Sequence, residues 1–445
     1  MAGARTGPSS MRPNGPAPVA AGPAAPVGVG GHLPAALWVL YAGVFVVMVG
    51  YGITLTVIPY QVERIHELRA LRPATESFHI GLLTSVYALA QLVASPAAGW
   101  LCDRVGRRPI LLVGLAGMAA TQAPFGFVSW LPGLYLLRAG GGVATSGVLI
   151  AAIAYVADST SEAGRARGMA WFGTSVSLGL VAGPALGGLL SGPAISRRIE
   201  GPWLNGFSLP FLAAGLLALA VLIASTRRVP ESRRLDQRAT AALREVPQRR
   251  PSGLRGLLSL VTASSAGLAL FEGTFVLYGQ SRLGIGPAQA SVAFMVCGLV
   301  MAALQVAAAG ALSRFVAPTL QVAAGLVVMG IGIAAIVVTR HFAVVLGVVA
   351  LLAAGSAVVT PNLSVLVSAG RGDRAGAALG MKSAANSAGQ FVGPLAGVAL
   401  LSWRPASPFV LAGGLLAVLG AVVGILHWTR PGHGRGAGEH SAAID

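Results

Sequence analysis

The stretch that decides how this chain is read is Gly99-Trp-Leu-Cys-Asp103-Arg104-Val-Gly106-Arg107-Arg108-Pro109. It is a tight basic turn holding one carboxylate, set between apolar runs at 80–101 and 110–130. Each run has about the 20 residues that a helix needs to cross a hydrocarbon core. Working outward, further runs lie at 36–58, 133–156, 169–191 and 209–225, and six more at 257–280, 287–312, 319–339, 342–368, 376–401 and 407–428. The expected architecture is all-α and membrane-spanning: twelve transmembrane helices in two six-helix bundles.

Composition agrees with this pattern. Of 445 residues, 55% are hydrophobic and 10% charged, with a mean hydropathy of +0.74; a water-soluble domain carries about 25% charged residues. Two cysteines cannot staple a chain of this length, which excludes a disulfide scaffold. The net charge of +17 would fit nucleic-acid binding if position were ignored, but the arginines sit mostly in short stretches between apolar runs. That placement fits anchoring to a lipid surface, so no nucleic-acid partner is expected.

The arginines also orient the chain. With the N-terminus inside, the tails and even-numbered loops hold 21 of them and the outer loops hold eight. Both termini are therefore expected in the cytoplasm. The domain reading is a disordered cytoplasmic tail at 1–34, an N-terminal six-helix domain at 35–225, a basic cytoplasmic linker at 226–256, a C-terminal six-helix domain at 257–428 and a cytoplasmic tail at 429–445. The stretch from Thr226 to Gly256 contains nine arginines against three acids and reads as a solvated topology signal.

The halves echo each other. A shift of 210 residues lays Ser177 on Ser387, Gly179 on Gly389, Gly183-Pro184 on Gly393-Pro394 and Gly187 on Gly397. An internal duplication is a common device in transporters, whose sites form between repeats.

The loop quoted above resembles the signature G-x-L-x-D-R-x-G-R-R of the major facilitator superfamily and matches it at every fixed position. The resemblance spans about residues 36–428. It implies secondary transport by alternating access, with a small-molecule substrate, no cofactor, and a gating role for Gly99, Asp103, Arg104, Gly106, Arg107 and Arg108. Asp103 ends a helix whose dipole disfavours a negative charge, so it needs a compensating cation, for which Arg104, Arg165 and Arg167 are candidates. Positive-inside topology alone explains the arginines but not an acid among them.

Within the spans, Arg138 places a guanidinium in an apolar run, costing about 2.5–3.5 kcal/mol or more unless it is paired or faces water. Snorkelling to the nearby interface is the competing account. Arg138-Ala-Gly-Gly-Gly142 resembles the family's fourth-helix motif R-x-x-x-G, associated with proton coupling in drug antiporters, although Gly141 stands where a Gln is frequent. Gly179, Gly183, Pro184, Gly187 and Gly188 form a small-residue stripe for close helix approach. They complete the pattern G-x-x-x-G-P-x-x-G-G that marks the exporters of the family.

Glu272 and Lys382 are two further titratable groups inside spans. If both face one cavity, each offsets the other's burial, and Glu272 becomes a candidate proton carrier or a counter-ion for a cationic substrate. Lys382, Asn386 and Gln390 fall at i, i+4 and i+8, one polar stripe that should line the cavity. Tyr51, Tyr87, Gln91 and Phe275 are among further candidate cavity residues, in a pocket expected to be mostly apolar. The first span, unlike that of several drug antiporters of the family, carries no acid between Ala36 and Ile58. No metal spacing, phosphate loop or nucleophile motif is present, so neither metal nor enzyme chemistry is expected.

The expectation is proton-coupled efflux of a small amphipathic or hydrophobic compound, with protons and the lipid bilayer as further partners. The protein is expected as a monomer in a plasma membrane, and its Arg, Ala and Gly usage points to a bacterium. The alternatives are a solute uptake symporter or facilitator on the same fold and, more remotely, a non-transporting membrane sensor or scaffold.

Overall fold

The computed structural model describes residues 3, 35–69, 75–160, 162–192, 195, 206–232, 253–310, 316–369 and 375–429. The expected tails at 1–34 and 429–445 and the linker between 233 and 252 lie outside these residues, apart from Gly3 and Thr429.

Twelve long α-helices follow one another among the described residues. They are α1 (Ala35–Arg69), α2 (Glu76–Val105), α3 (Arg107–Phe125), α4 (Leu131–Ser159), α5 (Glu162–Leu190), α6 (Ser208–Arg228), α7 (Leu254–Leu283), α8 (Pro287–Gly310), α9 (Pro318–Ala335), α10 (Phe342–Ser368), α11 (Ala375–Trp403) and α12 (Ser407–Trp428). Several outrun the apolar windows. α1 continues through Pro59 to Arg69 rather than stopping at 58, and α5 opens at Glu162 rather than 169. An apolar window marks the stretch that crosses hydrocarbon, whereas the helix itself continues into the interface.

Ten of the twelve are long and apolar enough to cross a membrane by length and composition. The two that fall short are α3, which opens on Arg107 and Arg108, and α11, which carries the Lys382, Asn386 and Gln390 stripe. Both still pack as members of their bundles.

Helix packing repeats with the sequence. In the first half α1 lies on α5, α2 on α4, α3 on α4 and α3 on α6; in the second, α7 lies on α11, α8 on α10, α9 on α10 and α9 on α12. Each pairing maps onto its counterpart by adding six to the helix number. The cross-contacts obey the same rule, because α5 meets α8 and α11 meets α2.

Glycines set these distances. A Cβ on Gly183 would lie 2.6 Å from the Val49 carbonyl oxygen of α1, and one on Gly187 would lie 2.5 Å from Thr56 Oγ1. In the second half, Gly393 presses against the Ala266 carbonyl of α7, and a Cβ on Gly397 would stand 2.7 Å from Thr274. The α5 stripe therefore works as backbone-to-backbone contact with α1. The two apolar cores of the first half and that of the second meet at α1, whose Leu55 and Tyr60 are buried in the second half's cluster.

Candidate functional site

Where the bundles face each other, a narrow cleft is lined by Thr54, Leu55 and Ile58 of α1, Ile80 and Thr84 of α2, Arg138 of α4 and Glu272 of α7. Most of the wall is apolar, and the charged groups on it come from opposite halves.

Arg138 does not snorkel. Its side chain is 3% exposed, and its guanidinium lies 4.2 Å from the centre of the Tyr87 ring and 5.9 Å from that of Tyr51. Nε donates to the Leu83 carbonyl at 3.3 Å, and Nη1 donates to Thr54 Oγ1 at 3.2 Å. Thr54 Oγ1 in turn donates to the Gly50 carbonyl at 2.7 Å. Nη2 has no hydrogen-bond partner among the described residues. Tyr87 and Thr145 share a 2.7 Å hydrogen bond that fixes the ring beneath the guanidinium. Helices α1, α2 and α4 thus hold a positive charge at the cleft with neutral oxygens and π faces.

Glu272 approaches from the other half. The Tyr51 hydroxyl donates to its Oε2 at 2.9 Å, which bonds α1 to α7 across the bundles. No ion pair joins Glu272 to Arg138, although both line the cleft.

Lys382 does not offset Glu272, contrary to expectation. A Cβ on Gly273, next to Glu272, would lie 2.9 Å from Pro394, and Lys382 stands twelve residues earlier on α11. At 1.5 Å per residue that places it about 18 Å along the axis. Of the same stripe, Asn386 accepts a 2.6 Å hydrogen bond from Ser265 of α7, and Gln390 is partly exposed.

Phe275 is a second correction: it is fully buried and packs against Phe271 and Phe294 in the core of the second half. Glu272, three positions earlier, lines the cleft, whereas Phe275 does not. Gln91, one turn beyond Tyr87, is partly exposed. Tyr51, one of the expected cavity residues, is at the site. Thr54 and Thr84 line it although no motif selected them; a hydroxyl inside an apolar run was their only signal.

The Asp103 loop is a separate structure at one end of the bundles. Gly106 is the single residue between α2 and α3, with φ of 117°, a conformation suited to glycine. Asp103 is largely exposed and pairs with Arg107, one turn along, at 3.4 Å; the side chain of Arg165, an expected partner, lies outside the described residues. Arg107 also reaches Asp158 at the end of α4 at 2.8 Å. Glu231, just beyond α6, accepts the backbone N–H groups of Arg107 at 2.9 Å and Arg108 at 3.1 Å, capping α3. Arg104 lies over Trp100 at 5.0 Å. Asp158 and Glu231 escaped the motif reading because acids in loops are common; their proximity to the turn is a product of folding.

At the opposite end, the halves close on each other. Gln280 of α7 donates to Glu63 of α1 at 3.0 Å. Gly188 of α5 abuts Ser291 of α8, while Gly81 of α2 abuts Val398 of α11. These two contacts are equivalent, since 210 residues separate Gly81 from Ser291 and Gly188 from Val398.

The sequence profile of the Major Facilitator Superfamily matches residues 40–372. This chain belongs to that family of membrane transporters. Multidrug resistance protein 2 of Bacillus subtilis strain 168 is 25% identical over 388 residues, covering 85% of this chain and 92% of the relative. The class G tetracycline resistance protein of Vibrio anguillarum is 30% identical over 369 residues, covering 79% and 87%. Among solved structures, a D-xylose-proton symporter superposes with a TM-score of 0.70 at 18% identity, covering 88% of this chain and 97% of that one, and shares its fold.

Proposed function

We propose that this chain is a proton-driven exporter of small amphipathic compounds, working by alternating access between its two bundles. The observation that carries the reading is the Tyr51–Glu272 hydrogen bond, a titratable carboxylate bound across the bundles at the wall of a central cleft. A carboxylate at that point responds to both proton and substrate, and its contact with α1 is remade whenever the halves rock. Glu272 is the proton carrier and Arg138 the fixed charge beside it. Drug-resistance relatives that cover most of the chain support export over uptake.

The arginine bias supports a cytoplasmic Asp103 end, with both termini on that side. The closed contacts at Glu63–Gln280 and Gly81–Val398 then seal the outer side, and the cleft faces inward. Exposed Asp103 is a latch in its released state, with Gly99, Arg104, Gly106, Arg107 and Arg108 shaping the loop that carries it. Gly179, Gly183, Pro184 and Gly187 of the α5 stripe are the pivot against α1, Gly188 faces Ser291 of α8, and the units that rock are the six-helix domains at 35–225 and 257–428. Lys382, Asn386 and Gln390 belong to the cytoplasmic entry rather than the central site. The protein works as a monomer in the bilayer of a bacterial plasma membrane.

Everted vesicles with an acid interior test this reading. Adding tetracycline or ethidium is expected to dissipate the proton gradient in vesicles holding the protein, and Glu272→Gln is expected to abolish the effect. Substrate-dependent acidification, or a leak unchanged in Glu272→Gln, would overturn it. Asp103→Asn is expected to lose transport with expression intact.

A further inference from the structure

Two opposite charges face one cleft without pairing. Arg138 is buried, donates to two neutral oxygens and keeps Nη2 unpartnered, while Glu272 is satisfied at one oxygen by Tyr51. A buried guanidinium is ordinarily matched by a carboxylate, because an unpaired charge in a low-dielectric site is costly. Here the available carboxylate is bound to a tyrosine instead, and no ion pair closes between the two. The fork of Arg138 is held at Nε and Nη1 and stacked on Tyr87, so the buried Nη2 is fixed in place without a partner. A guanidinium fixed in this way recognises a carboxylate by charge-assisted hydrogen bonds.

Leu55, Ile58 and Ile80 give the same cleft apolar wall. The cleft therefore combines a guanidinium, a carboxyl group and apolar surface, with Tyr51 in contact with both polar groups. We propose that its substrate is a zwitterionic amphiphile whose carboxylate docks on Arg138 and whose ammonium group docks on Glu272. A purely anionic compound would favour a protonated Glu272 and so travel with the proton. A purely cationic one would leave Nη2 unpaired. With a zwitterion the ammonium competes with the proton for Glu272, which is what exchange requires, while Arg138 anchors the other end. This assignment rests on the export reading and gives that site its substrate class.

The test is binding to the purified full-length protein in detergent, measured by titration calorimetry, with three compounds on one scaffold. They are 3-(2-naphthyl)alanine, a zwitterion; its methyl ester, a cation; and its N-acetyl derivative, an anion. The zwitterion is expected to bind about tenfold more tightly than either, equivalent to ~1.4 kcal/mol. Arg138→Gln should erase the preference over the ester and keep the preference over the N-acetyl compound. Glu272→Gln should do the reverse.

Misfolding cannot produce that reciprocal pattern, because each variant retains one discrimination as its own control. Equal or tighter binding of the ester by the unaltered protein, loss of both preferences in both variants, or no binding of any of the three would overturn the proposal. The vesicle assay separates it from the export reading. A tetracycline-driven leak without zwitterion preference sinks the substrate class alone, whereas the preference without any leak sinks export alone.

Discussion

The contact of α5 with α1 and the central cleft sit side by side and obey different rules. α5 on α1 has a copy in α11 on α7, glycine for glycine, with Gly183 against Val49 matched by Gly393 against Ala266. The cleft has no copy. The first half supplies Arg138, Tyr51, Tyr87 and Thr54, and the second supplies Glu272. The register makes this pointed. The contacts of Gly179 and Gly389 align α1 with α7 at a shift of 217, so Leu55 of α1 is the counterpart of Glu272, and both line the cleft. Duplication preserved what packs, because backbone contact tolerates no side chain, and left free to diverge what faces the cleft.

The largest expected effect tests the symmetric part. Gly183→Leu and Gly393→Leu each force a side chain into a facing backbone, and overpacking costs about 1–3 kcal/mol or more. Both should lose most of the monodisperse protein on fluorescence-detected size exclusion, and to a similar degree. A tolerated Gly393→Leu beside a lethal Gly183→Leu would break the equivalence.

Next is the asymmetric part. Glu272→Gln should leave size-exclusion behaviour intact while cutting proton-coupled transport about tenfold or more, a loss of at least ~1.4 kcal/mol of coupling. Moving the acid across the repeat, in the double variant Leu55→Glu with Glu272→Leu, should return a measurable part of the drug-dependent proton leak. No recovery would show that the identity of the bundle matters as well as the place in the cleft.

Smaller effects are expected at the supporting groups. Tyr51→Phe deletes a hydrogen bond to a carboxylate, worth about 1.5–3 kcal/mol, and should slow transport with the fold retained. An unchanged rate would remove the α1–α7 bond from the mechanism. Glu231→Gln weakens the cap on α3 by about 1 kcal/mol, which should lower the thermal midpoint by about 2–4 °C. Ala317, which opens α9 at the equivalent place, makes no side-chain cap, and the drop should not depend on changes in the second half.

Hydrophobic runs, arginine placement and the glycine stripe were enough to read a twelve-helix, two-bundle membrane fold, because each follows from local chemistry: apolar length, charge at an interface, absence of a side chain. The sequence also marked Arg138 and Glu272, since ionisable groups inside apolar runs are conspicuous. It could not say whom they meet. Lys382 looked like a partner for Glu272 until helix register set it about 18 Å away along α11. Phe275 looked like a cavity residue until its helix face turned it into the core. Tyr51, 221 positions from Glu272 in the chain, was invisible as its partner. Periodicity along a chain fixes which residues share a helix and a face. Which faces oppose each other is decided by how helices pack, and that is why the charges were legible in the sequence while the unpaired, two-signed cleft emerged from the tertiary structure.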